Sequence, residues 1–552
     1  MWLRRGGRST GSSSSQHATN SIEERAARRV IEELKRSHHT KKEFTRLKYR
    51  VSADEGLRRV LKDHEIIKYL GEEEEYLAAF LRGKEVRSAS GIYTVAVMTK
   101  PWRCPKERPC IYCPGGMKDG TPQSYLGKEP ALMRGVQTGF DPYMQVRYRL
   151  EQYKTIGHRP SKVQLIIMGG TFPATDLDYQ EWFVTRCLEE MNDYPRCSPY
   201  RWVSLEDAQR RNGSSKVRCI GITMETRPDW AKVPQTDRMI RLGATLVEIG
   251  VQALDDSVLS RVARGNAVSD VIEATRILRD SGLKVGYHMM PSLPGSDRER
   301  DLEDLRRIFE EEDFKPDYLK IYPTLVIEGT GLYEMWRRGE YRALSTEDAT
   351  NLLADAHRYF PKWVRVARIQ RDVPAYIIRD GVKKSNLREL VEERLRELGV
   401  KCRCIRCREV GLAKIRGDKI DGLKPEIVIE SYEAGGGTEK FISVEDRERD
   451  LLVGFLRLRI PSEKAHRREV QSSGVIRELH IYGPQISVGE SGASGYQHRG
   501  WGSLLLQKAE EVVREGYGLS RIVVLPGVGV RGYYRQRGYR MVPSSPFMVK
   551  KL

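Results

Sequence analysis

Cys104, Cys110 and Cys113 stand in KPWRCPKERPCIYCPGG, three thiols separated by five and then two residues. Three thiolates are one short of the four protein ligands that close a structural zinc site. They suit a 4Fe-4S cluster that keeps one iron open to a further ligand. A second trio, Cys402, Cys404 and Cys407, is compressed into KCRCIRCREV within a basic stretch. That spacing suits one tetrahedral zinc stapling a linker, with the fourth ligand from elsewhere, His357 and His466 among the candidates; a second iron-sulfur cluster is the alternative. A third signal is YQHRGWG, in which Gln497, Gly500 and Gly502 precede the helical run SLLLQKAEEVVREG. Glycines at a helix N-terminus offer backbone N–H groups, and the helix dipole favours a pyrophosphate there.

These groups must be held by a scaffold, and the pattern around them describes one. Between residues 85 and 372 apolar runs (IYTVAVM, VQLIIM, CIGITM, LVEIGV, KVGYHMM, DYLKIY, VRVARIQ) alternate with amphipathic segments such as YQEWFVTRCLEEM. Strand and helix in alternation predict a parallel sheet covered by helices, here a full or partial (β/α) barrel whose chemistry lies on loops after the strands. The first cysteine loop directly follows the first of those strands. MGGTF ends the second, with Gly169 and Gly170, and METRPD ends the third, with Glu225 and Arg227. Residues 193–216 break the rhythm and read as an inserted loop. Residues 373–424 form a basic linker with the second cysteine cluster, and residues 425–552 an α+β domain of strands EIVIESYEA, LLVGFLRLRI, VIRELHIYG and RIVVLPG with one clear helix.

The N-terminal end of the chain adds a basic signal. Residues 1–20 are rich in Ser, Gly and Arg and read as a disordered basic tail. Residues 21–84 read as short amphipathic helices with Lys41, Lys42, Arg46, Lys48 and Arg50 crowded together, a surface suited to a phosphate backbone. Over the 552 residues Lys and Arg exceed Asp and Glu by 19, which favours a polyanionic partner. No apolar run reaches the roughly 18 to 20 residues a bilayer span needs. Nine cysteines without an apolar leader fit metal binding in a reducing, cytoplasmic setting better than a disulfide framework.

The three-cysteine loop with Tyr112 before its last cysteine resembles the radical S-adenosylmethionine (SAM) superfamily, although three and then two residues is the commoner spacing there. The order of strands around QHRGWG, ending in GVRGYYRQRGY, resembles the N-acetyltransferase superfamily, in which acetyl-CoA lies between two splayed strands and a late tyrosine sits beside the thioester; Tyr533 and Tyr534 occupy that place. Together with CIYCPGG, TPQSYLGKEP, KVQLIIMGGTF, CIGITMETRPD, YHMMPSLPG, YLKIYPTLVIEGTGLYE, CRCIRCREV and RELHIYG, the chain resembles the family of the Elongator catalytic subunit, tRNA carboxymethyluridine synthase, in its archaeal form. Trp230-Ala231 after METRPD departs from many members.

The resemblance implies a partial barrel of the radical SAM type, a zinc-stapled linker and an N-acetyltransferase-like domain. It implies Cys104, Cys110 and Cys113 as 4Fe-4S ligands and Gly169, Gly170 and Glu225 at SAM. Lys162, Glu478, Leu479, His480, Gly500, Trp501, Gly502 and Tyr533 fall at acetyl-CoA, Lys162 and Tyr533 being catalytic. The activity implied is 5-carboxymethylation of the wobble uridine of tRNA, bound by its anticodon stem-loop. A deoxyadenosyl radical would take hydrogen from the acetyl methyl group, and the carbon radical would add to carbon 5 of the base. Other Elongator subunits are expected not to be required, and a homodimer is compatible with this reading. The rival reading is a protein lysine acetyltransferase that uses the C-terminal domain alone, with Glu478 as its base.

Overall fold

The structure, a computed structural model, describes residues 13–37, 39–57, 59–81, 89–197, 203–370, 373–483 and 500–552. It divides into two compact units, residues 1–85 with 149–160, and residues 86–148 with 161–552.

In the first unit helices Ser13–Arg36, Lys41–Asp54, Asp63–Ile67 and Glu75–Leu81 bury one apolar stripe each, with Val30, Ile31, Phe44, Leu47 and Val51 in the shared core. Thr40 and Glu43 form a capping box that starts the second helix. The first helix begins at Ser13, inside the stretch read as a disordered tail, because nothing after Gly11 stops a helix from extending backwards from Ser21. Residues 1–12 of that tail lie outside the described residues. The basic surface is also smaller than its sequence suggests. Lys42, Arg46 and Arg50 are exposed, but Lys48 is turned to the Asp63 carboxylate and is not offered to a ligand.

The second unit opens with a parallel sheet: β1 (Tyr93–Met98), β2 (Lys162–Met168), β3 (Arg218–Thr226), β4 (Ala244–Gln252), β5 (Lys284–Met289), β6 (Tyr318–Ile321) and, after the short β7 (Val326–Ile327), β8 (Arg365–Ile369). Its seven strands run in the order β1-β2-β3-β4-β5-β6-β8, every neighbour parallel, and β1 and β8 remain edges. The barrel is therefore partial. Alternation along β2 shows its two faces: Val163, Leu165 and Ile167 are buried towards the helices, while Lys162, Gln164, Ile166 and Met168 are half-buried on the concave face. On β5 the Tyr287 hydroxyl bonds with Thr275 of helix Val268–Asp280, which leaves Lys284, Gly286 and His288 on the concave side.

The segment read as an inserted loop contains a helix, Leu205–Asn212, started by Ser204, whose Oγ accepts from Asp207 N–H. This corrects the loop reading: Ser-x-x-Asp is a helix start signal, and the buried Asn212 side chain bonds to Asn192, Val217 and Cys219.

After β9 (Ile378–Asp380), which pairs with β7, the linker carries helix Leu387–Glu397 and two short helices around the second cysteine trio. Then come β10 (Glu426–Ala434), β11 (Gly437–Asp446), β12 (Leu451–Ile460), β13 (Gly474–Ile481), helix Trp501–Glu511, β14 (Arg521–Val524), β15 (Arg540–Met541) and β16 (Met548–Lys551), in one sheet of order β10-β11-β12-β13-β14-β16-β15. β13 and β14 are parallel and pair over only three residues, Gly474 to Ile476 against Ile522 to Val524. From Arg477 to Ile481 β13 has no partner on that side among the described residues, so the two strands splay.

Candidate active site

The loop after β1 brings the first three thiols to the C-terminal end of the half-barrel. Cys110 is buried; Cys104 and Cys113 are half-buried. Gln123 Nε2 donates to Cys113 Sγ at 3.2 Å, and Lys106 Nζ to Cys110 Sγ at 3.3 Å. Burial pushes the Cys110 thiol pKa up, but the Arg264 and Lys106 cations outweigh it and leave the net value lowered. Anionic sulfur at this position suits a cluster ligand. Beside it, Gly169 and Gly170 have φ of 142° and 89°, the left-handed region, and a Cβ on Gly169 would stand 1.9 Å from Thr99 Oγ1. Thr99 Oγ1 is buried without a hydrogen-bond partner among the described residues, an orphaned acceptor against the glycine turn where the methionine end of SAM is expected. The surroundings of Cys110 and the glycine turn thus fit a cluster and its SAM ligand; the three sulfurs of this loop are not gathered within 4.8 Å of one another as those of the linker trio are.

Glu225 is less free than the sequence suggests. Its Oε2 accepts from Tyr125 O–H at 2.8 Å, and Lys320 Nζ stands 3.9 Å from Oε1. Lys320 pairs also with Glu248, which His288 approaches at 3.3 Å. Burial alone would raise Glu248; Lys320 and His288 hold it below the usual carboxylate range. Glu225, Glu248 and His288 have the spacing of metal ligands, but the Lys320 ammonium already supplies the countercharge.

The other end of the same strands meets the C-terminal sheet. Tyr318, first in β6, donates to Glu478 Oε1 at 2.7 Å. His480 lies 2.9 Å from the Ser90 carbonyl, and Arg365, first in β8, donates to the Tyr482 hydroxyl at 3.1 Å. Arg477 is forked onto both oxygens of Asp317, at 2.7 and 2.8 Å, while Arg459 clasps Asp280. Asp317 and Glu439 are held below the carboxylate range against burial, chiefly by Arg477 and Arg279. The turn before Tyr533 is pressed on β3 so closely that a Cβ on Gly527 would lie 1.9 Å from the Ile220 carbonyl oxygen.

Lys162 opens β2 at this same end. Gly169 and Gly170 follow its other end, seven strand residues away, or about 20 Å. The site residues therefore fall into two groups at opposite ends of the half-barrel strands rather than side by side. Burial pushes the Lys162 pKa down from 10.5 to about 8.

The splay of β13 from β14 leaves an edge of β13 open among the described residues. Leu479 and His480 line its free edge, half-buried. Gly502 leaves room for the Tyr533 hydroxyl, which a Cβ there would meet at 2.5 Å. Arg537 stacks on the Tyr533 ring, 3.6 Å from its centroid. Gly500 and Trp501 stand at the start of helix Trp501–Glu511; Gln497 lies outside the described residues. Glu478, by contrast, is spent. Burial would raise its pKa, yet Lys284, Arg457 and Tyr318 keep it low, and Arg457 Nε donates to it at 2.9 Å.

In the linker the sulfurs of Cys402, Cys404 and Cys407 lie within 4.8 Å of one another. Of the two histidines considered beside them, His466 is bonded to Asp237, while Cys404 acts electrostatically on the buried His357 imidazole.

Gln123, Tyr125, Arg264, His288 and Lys320 were not singled out from sequence. A signal existed for the last two: polar residues at period two within otherwise apolar strands, KVGYHMM and YLKIY.

Known proteins match the same stretches of the chain. Residues 103–308 match the radical SAM superfamily, 316–397 a radical SAM C-terminal domain and 419–539 the GNAT acetyltransferase family. The molecule is thus a radical SAM half-barrel joined to an acyl-CoA-type domain. A tRNA uridine(34) acetyltransferase of Methanocaldococcus jannaschii is 48% identical over 489 residues, 87% of this chain and 88% of the relative. Elongator complex protein 3 of Homo sapiens is 40% identical over 534 residues, covering 95% and 96%. The structure of the archaeal Elp3 of Methanocaldococcus infernus with an N-terminal deletion superposes with a TM-score of 0.73 at 44% identity, covering 84% of this chain and all of that one. The chain belongs to the family of the tRNA uridine(34) acetyltransferases and Elongator complex protein 3.

Proposed function

We propose that this chain uses SAM and acetyl-CoA to build the 5-carboxymethyl group on the wobble uridine of tRNA. The observation that carries the reading is that one half-barrel bears both groups: the thiol loop follows the C-terminal end of β1, and the C-terminal sheet meets the opposite ends of the strands, where Tyr318 at the start of β6 bonds Glu478 of the splayed strand β13. When bound, the cluster and SAM supply a deoxyadenosyl radical and acetyl-CoA a thioester, chemistry able to form a carbon–carbon bond at an unactivated base. Cys104, Cys110 and Cys113 would hold the cluster, Gly169 and Gly170 would admit the methionine end of SAM, and Leu479 to His480 with Gly500 to Gly502 would bed the acyl carrier. Lys162, with its pKa near neutrality, and the Tyr533 hydroxyl stand where a proton at the thioester could be held or moved. Exposed Lys42, Arg46 and Arg50 support phosphate contacts to tRNA.

Cys402, Cys404 and Cys407 would bind zinc; among the described residues no His, Cys, Asp or Glu joins all three sulfurs within 4.8 Å, and His357, its Nδ1 engaged by the Leu353 carbonyl at 2.6 Å, lies outside that group.

A lysine acetyltransferase would need a base at the thioester, and Glu478 is committed to Arg457 and Tyr318. Anaerobic incubation of the iron-loaded chain with SAM, acetyl-CoA, dithionite and tRNA, followed by nucleoside mass spectrometry, tests the proposal. A carboxymethyl increment on uridine that is lost with Cys110→Ala is expected. Acetyl-lysine on added protein without SAM, and no modified uridine, would overturn it.

A further inference from the structure

The turn after helix Asp256–Arg261 carries Arg264, a guanidinium 7% exposed that forms no ion pair with a carboxylate among the described residues. Its Nη2 donates to the Gly250 carbonyl at 2.5 Å, its Nη1 points at Cys110 Sγ at 3.8 Å, and its Nε has no partner among the described residues. Lys106 Nζ reaches the same sulfur and also the Ala263 carbonyl. Two cations therefore converge on one thiol of three, whereas Cys113 receives the uncharged Gln123 amide. This placement is built. Arg227, itself buried, donates to the carbonyls of Arg264 (2.9 Å) and Gly265 (3.2 Å), and Ile111 N–H bonds to the Val262 carbonyl at 3.1 Å, tying the turn to the cysteine loop.

A buried arginine without a carboxylate is costly unless another anion balances it. The anion that the guanidinium points at is the Cys110 sulfur; the Asp229 carboxylate acts on it only at longer range and is already paired with Arg227. We propose that Arg264, assisted by Lys106, sets the reduction potential of the cluster held by Cys104, Cys110 and Cys113, stabilising its reduced form; this rests on the cluster assignment above. Reduction adds one electron from an external low-potential reductant, dithionite in the test, and changes no covalent bond. A fixed cation in a site of low dielectric favours the extra negative charge, and hydrogen bonds to cluster sulfurs act in the same direction. Arg264 is thus a positioning residue that acts through Cys110.

The test is an EPR-monitored redox titration of the anaerobically reconstituted full chain, with iron content measured in parallel. Arg264→Gln is expected to lower the reduced-to-oxidised ratio at a fixed potential at least tenfold, about 59 mV for a one-electron couple. Arg264→Lys, which keeps the charge, should stay within a few-fold of the wild type, and Lys106→Met should shift the same way by less. An Arg264→Gln protein with wild-type iron and a wild-type ratio overturns the proposal, as does Arg264→Lys falling as far as the glutamine variant. Should Arg264→Gln lose iron, Lys106→Met decides: a lowered ratio supports the proposal and an unchanged one overturns it. A wild-type chain that takes up no cluster overturns the cluster assignment itself.

Discussion

Lys162 shows how position along one strand changes the chemistry of an ordinary residue. At the start of β2, on the concave face, it is desolvated and its pKa falls to about 8. Reductively methylated with 13C and followed by NMR, its amine should titrate near pH 8, and a titration above 10 would contradict the buried position. The linkage sign follows. The unfolded chain binds this proton up to about 10.5 and the folded chain only up to about 8, so between these values the site makes stability rise with pH. The cysteines and the glycines of MGGTF and QHRGWG stand out in the sequence because what marks them is their spacing. Arg264, Lys106, Gln123 and Tyr125 do not, because what matters about each is a partner fixed by loop geometry: Tyr125 meets Glu225 across 100 residues of chain.

Among the elements, all seven barrel strands were readable, since a strand buried on its helix face carries an apolar residue at every second position. What failed was local. The run GTEKFISVED forms β11, yet its charged residues disguise a central strand, because Glu439 is buried against Arg279, Arg459 and Arg477. The linker trio should bind about one zinc per chain. Cys404→Ser is expected to abolish it by elemental analysis and to lower the melting temperature, since metal binding here contributes folding energy; a variant with zinc and stability unchanged would remove the staple from the account. The helices of the N-terminal unit divide their cations by partner. Lys42→Ala with Arg46→Ala should weaken tRNA binding and flatten its salt dependence by about one per lost phosphate contact. Lys48→Ala, which breaks the pair with Asp63, should lower the stability of that unit and leave the salt slope unchanged. Filter binding across a salt series separates the two.

At the scale of the molecule, the buried ion network between half-barrel and C-terminal sheet decides what can be taken apart. Arg477 and Arg459 would lose Asp317 and Asp280 if residues 425–552 were expressed alone. Breaking such buried pairs typically costs about 3–5 kcal/mol each. The isolated domain is therefore expected to lack a cooperative thermal transition by circular dichroism; a stably folded fragment would refute the network's role. The network also fixes the C-terminal sheet against the half-barrel, as the proposed reaction requires, and the central claim is that an acetyl group carried by that sheet reacts with a radical generated at the thiol loop. Acetyl-CoA deuterated in its methyl group, given to the reduced, SAM-loaded chain, tests this most directly by mass spectrometry of the 5′-deoxyadenosine released. Deuterium in that product is the result predicted here. Unlabelled 5′-deoxyadenosine, formed while carboxymethyluridine accumulates, would contradict it.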